Sequence, residues 1–278
     1  MFFRKPKQSH NEKWRDVLTG EARGHMCWNP RVRRITRAIP SDPRCKLCDG
    51  PFGPPGNVMR FLGFGPSTIN RRICGHCIHE LERNPGGAEV ELSFLFADVR
   101  GSTALAEHAS AEEFSQLMAR FYGTAAKVVD ARNGIVDKFV GDQAMALFIP
   151  GFAGADHATD AVESARELLA QTGHDGDTPW IPIGAGVHTG VAYVGTIGEG
   201  DALDFTALGD SVNTAARLAA SAGIGEILVS SSAAAATALE TDGLESRTLS
   251  LRGRTESVEA WVLTPGSPDR PESLVSVG

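Results

Sequence analysis

Three groups of residues in this chain have types and spacings that could do chemistry. Asp98 closes an apolar run and Asp142 sits in a Gly-Asp turn 44 residues later, a pair of carboxylates that adjacent antiparallel strands would bring together around a divalent cation. Turn chemistry and helix capping explain single aspartates equally well, so spacing alone leaves the metal reading open. Directly after Asp98, Gly101-Ser102-Thr103 leads into a helical segment whose free backbone N–H groups can hold phosphate oxygens. Carboxylates beside an anion cradle suit a metal-bound polyphosphate. The third group is Asn213 and Arg217, four residues apart and therefore on one helix face, with Asp210 and Ser211 at its start.

A separate set lies earlier in the chain. Cys45-Lys46-Leu47-Cys48 and Cys74-Gly75-His76-Cys77 form two C-x2-C pairs separated by 25 residues. Four thiolates saturate one tetrahedral ion, and in a short segment that ion also supplies folding energy a small core cannot. Zinc is the leading reading and an iron–sulfur cluster the next, because an S4 set suits zinc or iron; redox thiols or no metal at all are the remaining alternatives. His76 and His79 read as residues beside the second knuckle, since four cysteines already complete the site. Cys27 reads as packing only. The basic run Arg31 to Arg37 is the one feature that suggests nucleic acid, but a solvated face or a surface docked on an acidic partner explains it better.

The elements that must position these groups follow from the apolar periods. Glu91 to Val99 reads as a buried strand ending at Asp98. Ser110-x-x-Glu113 is a capping box, Phe114, Leu117, Met118, Phe121 and Tyr122 follow at helical spacing, and Asn133-Gly134 stops the run. Ile135 to Val140 and Ala144 to Phe148 flank Gly141-Asp142 as a hairpin. A helix from His157 to Leu169, a strand pair around His188-Thr189-Gly190 and a helix after Gly209-Asp210 complete the order, and Ala233 to Ala236 reads as helical. The pattern predicts an α+β sheet covered by helices on one face.

At this point the residues resemble a known family. FADVRGST at 96–103, DKFVGDQAMALF at 137–148 and FTALGDSVNTAARL at 205–218 are similar in order and spacing to the class III adenylyl/guanylyl cyclase catalytic domain of bacterial adenylyl cyclases. The resemblance implies a ferredoxin-like, palm-like domain over residues 88–264. A basic, zinc-ribbon-like module would occupy 1–87 and a loose tail 265–278. It further implies a head-to-tail homodimer that converts ATP to 3′,5′-cyclic AMP and pyrophosphate. Asp98, Asp142 and the Val99 carbonyl would hold two Mg2+ or Mn2+ ions, Gly101, Ser102 and Thr103 would meet phosphate, and Lys138 and Thr206 would select the base. Asn213 would orient the ribose, Arg217 would stabilise the transition state, and Arg252 of Leu251-Arg252-Gly253 would bind phosphate. His188 is expected to be structural, and Lys138, without the family, reads as an exposed hairpin lysine. Thr206 stands where many adenylyl members carry Asp; a hydroxyl both donates and accepts, so discrimination against GTP should be weaker.

Charge supports the division. Residues 1–87 carry 16 Lys and Arg against 7 Asp and Glu, the remainder 11 against 27, and all five cysteines precede the turn-like run Asn84-Pro85-Gly86-Gly87. Such asymmetry argues for a basic module, open to an unknown regulatory ligand or partner, joined to an acidic catalytic domain. No apolar run approaches the roughly 18 residues that cross a bilayer, which predicts a cytoplasmic protein without a membrane partner. Two rivals remain at this level: a catalytically silent nucleotide-binding regulator, and a cyclase acting on another nucleotide such as GTP. A diguanylate cyclase is disfavoured because its Gly-Gly-Asp/Glu-Glu-Phe turn is replaced by Val140-Gly141-Asp142-Gln143.

Overall fold

A computed structural model of the chain describes residues 10–21, 39, 41, 44–45, 47–48, 50–54, 58, 60, 63–67, 73–198, 204–250 and 257–266. Cys27, the run Arg31 to Arg37, Arg252 and the tail beyond Gly266 lie outside them. The chain forms two compact units, one of residues 1–90 with 193–207 and one of 91–192 with 208–278.

In the larger unit, β1 (Gly87–Val99) emerges as a thirteen-residue strand that is buried almost without interruption from Leu92 to Val99. After it come α3 (Ser102–His108) and α4 (Ala111–Ala131), numbered after two helices of the smaller unit, α1 (His10–Thr19) and α2 (Gly75–Arg83). The capping box forms as the sequence predicts: the Ser110 hydroxyl accepts from Glu113 N–H at 3.2 Å and the Glu113 carboxylate accepts from Ser110 N–H at 2.8 Å. Asn133, at φ 58°, and Gly134 end α4. The hairpin β2 (Ile135–Val140) and β3 (Gln143–Phe148) follows, then a short α5 (Pro150–Ala153) and α6 (His157–Gln171). The chain continues through β4 (Ile183–Ile197), β5 (Asp204–Leu208), α7 (Asp210–Ser221), β6 (Ile227–Ser230), α8 (Ser231–Thr237), β7 (Ser246–Leu249) and β8 (Val258–Leu263). The sheet order is β2-β3-β1-β4-β6-β8-β7, with β5 paired to β4. β6 runs parallel to β4 and antiparallel to β8, so the sheet is mixed.

Two expectations are corrected here. His188-Thr189-Gly190 is not the turn of a strand pair but lies inside the continuous strand β4. Gly190 is small because its neighbour is close: a Cβ there would lie 2.6 Å from the Ser211 hydroxyl of α7. The helices also cover both faces. Phe121, Val128, Ala165 and Leu169 of α4 and α6 pack with Ile227 and Val229, whereas Leu218 and Ala222 pack with Leu228 on the opposite face. Strand alternation requires this, since Leu228 points away from its neighbours' core.

An ion pair closes the far edge. Arg247 of β7 donates to both Glu226 oxygens at 2.6 and 2.8 Å, and Gly223 N–H donates to the same carboxylate at 2.6 Å. Arg247 holds the Glu226 carboxyl below the usual range, against a smaller opposing effect of burial. A depressed carboxyl contributes stability that is present above its unfolded pKa and lost as pH falls through the folded one. Glu226→Gln is therefore expected to cost about 1 kcal/mol at pH 7. The gap from wild type should shrink below about pH 4, as urea denaturation at both pH values would show.

Candidate functional site

Asp98 lies one residue from the end of β1, where antiparallel pairing sets it opposite Gln143. Val99 N–H donates to the Asp142 carbonyl at 3.2 Å, so the end of β1 is tied to the β2–β3 turn. This brings Asp98 and Asp142 together as the sequence predicts. Burial pushes the Asp98 carboxyl up, Arg100 opposes it, and the Asp142 charge pushes it further up.

The turn itself is clipped in place. Gly141 takes φ +60° in open space, a conformation glycine adopts without strain, and the Tyr122 hydroxyl donates to its carbonyl. The Tyr122 ring stacks on Phe139 at 4.2 Å between centroids. Lys138 is re-aimed by a register shift between Val136 and Lys138, a bulge at Asp137, and its ammonium lies 3.5 Å from the Asp137 carboxylate.

Arg100 and Gln143 surround Asp98 and were not singled out by sequence. The Arg100 guanidinium pairs with the Asp98 carboxylate, donates to the Ala220 carbonyl of α7 at 2.9 Å, and reaches the Asp98 carbonyl at 3.3 Å. Gln143 donates its amide to the other Asp98 oxygen at 3.2 Å. The available signals were a cation two residues after Asp98 and an amide directly after Asp142.

Gly101 at φ +67° precedes the seven-residue α3 without a side-chain cap, leaving Ser102 half-buried and Thr103 exposed. On α7, Thr214, Ala215, Leu218 and Ala219 are buried, while Asn213 is exposed and Arg217 half-buried on the other side. Among the described residues, neither Asn213 nor Arg217 hydrogen-bonds to Asp98 or Asp142; Arg100 meets α7 at Ala220, about 10 Å of helix beyond Asn213. Thr206 lies buried in β5 of the other unit. His188 donates to or accepts from Ser230 at 2.9 Å, a structural link between β4 and β6.

The smaller unit gathers all four cysteines of the two knuckles, fully buried, with sulfur atoms within 4.8 Å of one another. Cys45 and Cys77 sulfurs are 3.9 Å apart, Cys48 and Cys74 3.7 Å. Four sulfurs at about 2.3 Å from one tetrahedral ion lie about 3.8 Å apart, so the donor set fits. Although burial disfavours a charged Cys45, hydrogen bonds from Cys48, Cys74 and Cys77 outweigh it and lower its pKa, while hydrogen bonding to Cys45 pushes Cys48 up. A cation would resolve that conflict by letting all four ionise. His76 instead stacks near Phe64 at 5.8 Å and His79 lies 3.7 Å from Glu82, so the histidines stand beside the cluster as expected.

A mixed sheet with helices on both faces and a carboxylate pair at the β1 end and β2–β3 turn defines the class III cyclase fold. The family described as the adenylate and guanylate cyclase catalytic domain matches residues 88–265, and the chain belongs to it. An adenylate cyclase of Anabaena cylindrica is 32% identical over 57% of this chain, and adenylate cyclase 1 of Rhizobium meliloti 31% identical over 46%. The matches span only 32% and 20% of those relatives' own lengths. The crystal structure of the adenylyl cyclase CyaB from P. aeruginosa is similar with a TM-score of 0.56 at 28% identity, covering 66% of this chain and 99% of that one. That of the guanylyl cyclase Cya2 gives 0.55, also at 28% identity, over 64% and 93%. Among the described residues, no helix is long and apolar enough to cross a membrane.

Proposed function

We propose that this chain is an adenylyl cyclase that forms 3′,5′-cyclic AMP at the interface of a homodimer. The observation that carries the reading is the tie between the β1 end and the β2–β3 turn, which sets Asp98 beside Asp142 within the matched family domain. Ring closure forms a bond from the ribose 3′-oxygen to the α-phosphorus and breaks the bond to the β-phosphate, releasing pyrophosphate and one proton. Mg2+ or Mn2+ bound by the two carboxylates and the Val99 carbonyl would activate the attacking oxygen and neutralise phosphate charge. Gly101, Ser102 and Thr103 follow on the same turn and are suited to phosphate oxygens. Lys138 donates to adenine N1 and the Thr206 hydroxyl accepts from the exocyclic amine. Asn213 orients the ribose, and Arg217 meets growing phosphate charge together with Arg252, planar guanidinium groups that stay protonated.

In the cysteine site we propose zinc, because the sulfur spacing fits one ion rather than a multi-iron cluster, which spreads its ligands wider. Purified protein with Mn2+ and separate ATP, GTP, CTP and UTP tests the activity. Cyclic AMP is expected as the main product, identified by mass, and Lys138→Glu with Thr206→Cys should lower the ATP/GTP rate ratio about tenfold or more. Absence of any cyclic nucleotide would favour the silent regulator; an unchanged ratio would sink the base assignment.

A further inference from the structure

The four-cysteine site and the strand that carries Thr206 belong to one compact unit, and a short series of contacts joins them. Cys74 caps α2 at its N-terminus, its sulfur accepting from Cys77 N–H at 3.3 Å, so two of the four ligands fix where that helix begins. At the other end of α2, Asn84 closes the helix through its side-chain amide to Glu80, and its carbonyl accepts from the Trp14 indole N–H at 3.2 Å. Trp14, only 4% exposed, stacks on Phe205 at 6.3 Å between centroids and 22° between planes. Phe205 is the neighbour of Thr206.

A second attachment holds β4, the partner of β5. Gly86 N–H donates to the Thr196 hydroxyl at 2.7 Å and Thr196 N–H donates to the Gly86 carbonyl at 2.8 Å. The backbones approach so closely that a Cβ on Gly195 would lie 2.2 Å from the Gly86 oxygen, and one on Gly87 2.3 Å from the Val194 oxygen. β5 is thus gripped on Phe205 by Trp14 and through β4 by the segment that leaves α2. With Cys74 capping α2 and Cys77 in its first turn, the start of α2 is the part of this unit that a metal would secure.

We infer that a metal ion bound by Cys45, Cys48, Cys74 and Cys77 fixes, through α2, Asn84 and Trp14, the strand β5 that presents Thr206, so that metal occupancy controls nucleotide binding. The link to catalysis rests on the base-contacting role proposed for Thr206; the link to β5 does not. The module is then a positioning device, and metal loss should act on KM more than on kcat.

The test uses the full chain. Metal content should be one ion per chain, and Co2+ exchanged into it should give the visible d–d and thiolate charge-transfer bands of a tetrahedral four-sulfur site. Chelation should speed hydrogen exchange at the amides of 204–208 about tenfold and return to the starting rate on adding Zn2+. Since chelation could unfold the module outright, Trp14→Phe provides the second arm. It keeps a ring against Phe205 but loses the bond to Asn84; it should retain the metal and its spectrum, speed exchange at 204–208, and raise KM for ATP about threefold or more with kcat within about twofold. Unaltered exchange at 204–208 in both the chelated chain and Trp14→Phe would overturn the coupling, as would the lack of a four-sulfur metal site. A chain that makes no cyclic nucleotide would overturn the proposed activity instead, and the exchange data would still decide the coupling.

Discussion

Asp98→Asn and Asp142→Asn are each expected to lower cyclase activity by about a thousandfold or more, because a bound divalent ion supplies several kcal/mol of charge stabilisation that a neutral amide cannot retain. The fold should survive. Asp98 sits near the end of its strand and Asp142 in a turn rather than in the core. An amide at position 98 can still accept from Arg100 through its one oxygen while the Gln143 amide turns to accept from the new NH2, and the Arg100 guanidinium also keeps the Ala220 carbonyl. Unfolding midpoints within a few degrees of wild type, with activity lost, would fit the metal assignment; normal turnover by either variant would refute it. Mixing tests the second half of the reading. Among the described residues Asn213 and Arg217 do not bond to the carboxylate pair, and Arg100 meets α7 at the end remote from Asn213, which suits a site shared by two subunits. Asp98→Asn mixed with Arg217→Ala should then recover activity under subunit exchange, since one of the two sites in each heterodimer would be intact.

What the sequence made legible was local. The capping box at Ser110, the helix stop at Asn133-Gly134 and the Gly141-Asp142 turn depend on residues a few positions apart, and all form as their chemistry dictates. The cysteine cluster was legible for a related reason: C-x2-C fixes two ligands by spacing, and only the meeting of the two pairs required the fold. Arg100 escaped notice because its significance lies in Ala220, far away in the chain. The bulge at Asp137 leaves no mark in the apolar alternation, yet it decides where Lys138 points. Trp14 and Phe205 could not be paired from sequence at all.

The misread strand shows the same limit and leads to the second large effect. Gly190 resembles turn chemistry in sequence, but it belongs to a row with Gly184 and Gly186 on one face of β4, while Ile183, Ala185 and Val187 face the core on the other. The glycine face seats a helix. A Cβ on Gly186 would lie 2.3 Å from the Ala219 nitrogen and 2.8 Å from the Ala215 carbonyl oxygen; on Gly184 it would lie 2.8 Å from the Gly223 oxygen. These are backbone atoms of α7 and the loop after it, which cannot swing aside as a side chain can. Gly186→Val is therefore expected to cost about 3 kcal/mol or more, lowering the unfolding midpoint by about 6–12 °C for a domain of this size. If the domain stays folded, α7 must lift away from β4, carrying Asn213 and Arg217 with it. A displacement of about 1 Å at groups that orient a reacting phosphate can cost about a hundredfold in rate, so activity at 20 °C should fall much further than the folded fraction does. The Ser211 hydroxyl, which donates to the Val191 carbonyl at 2.8 Å, gives a milder control: Ser211→Ala removes one tie between α7 and β4 without pushing them apart and should lose about 1 kcal/mol and little activity. A Gly186→Val protein with wild-type stability and turnover would mean that α7 is not seated on this strand.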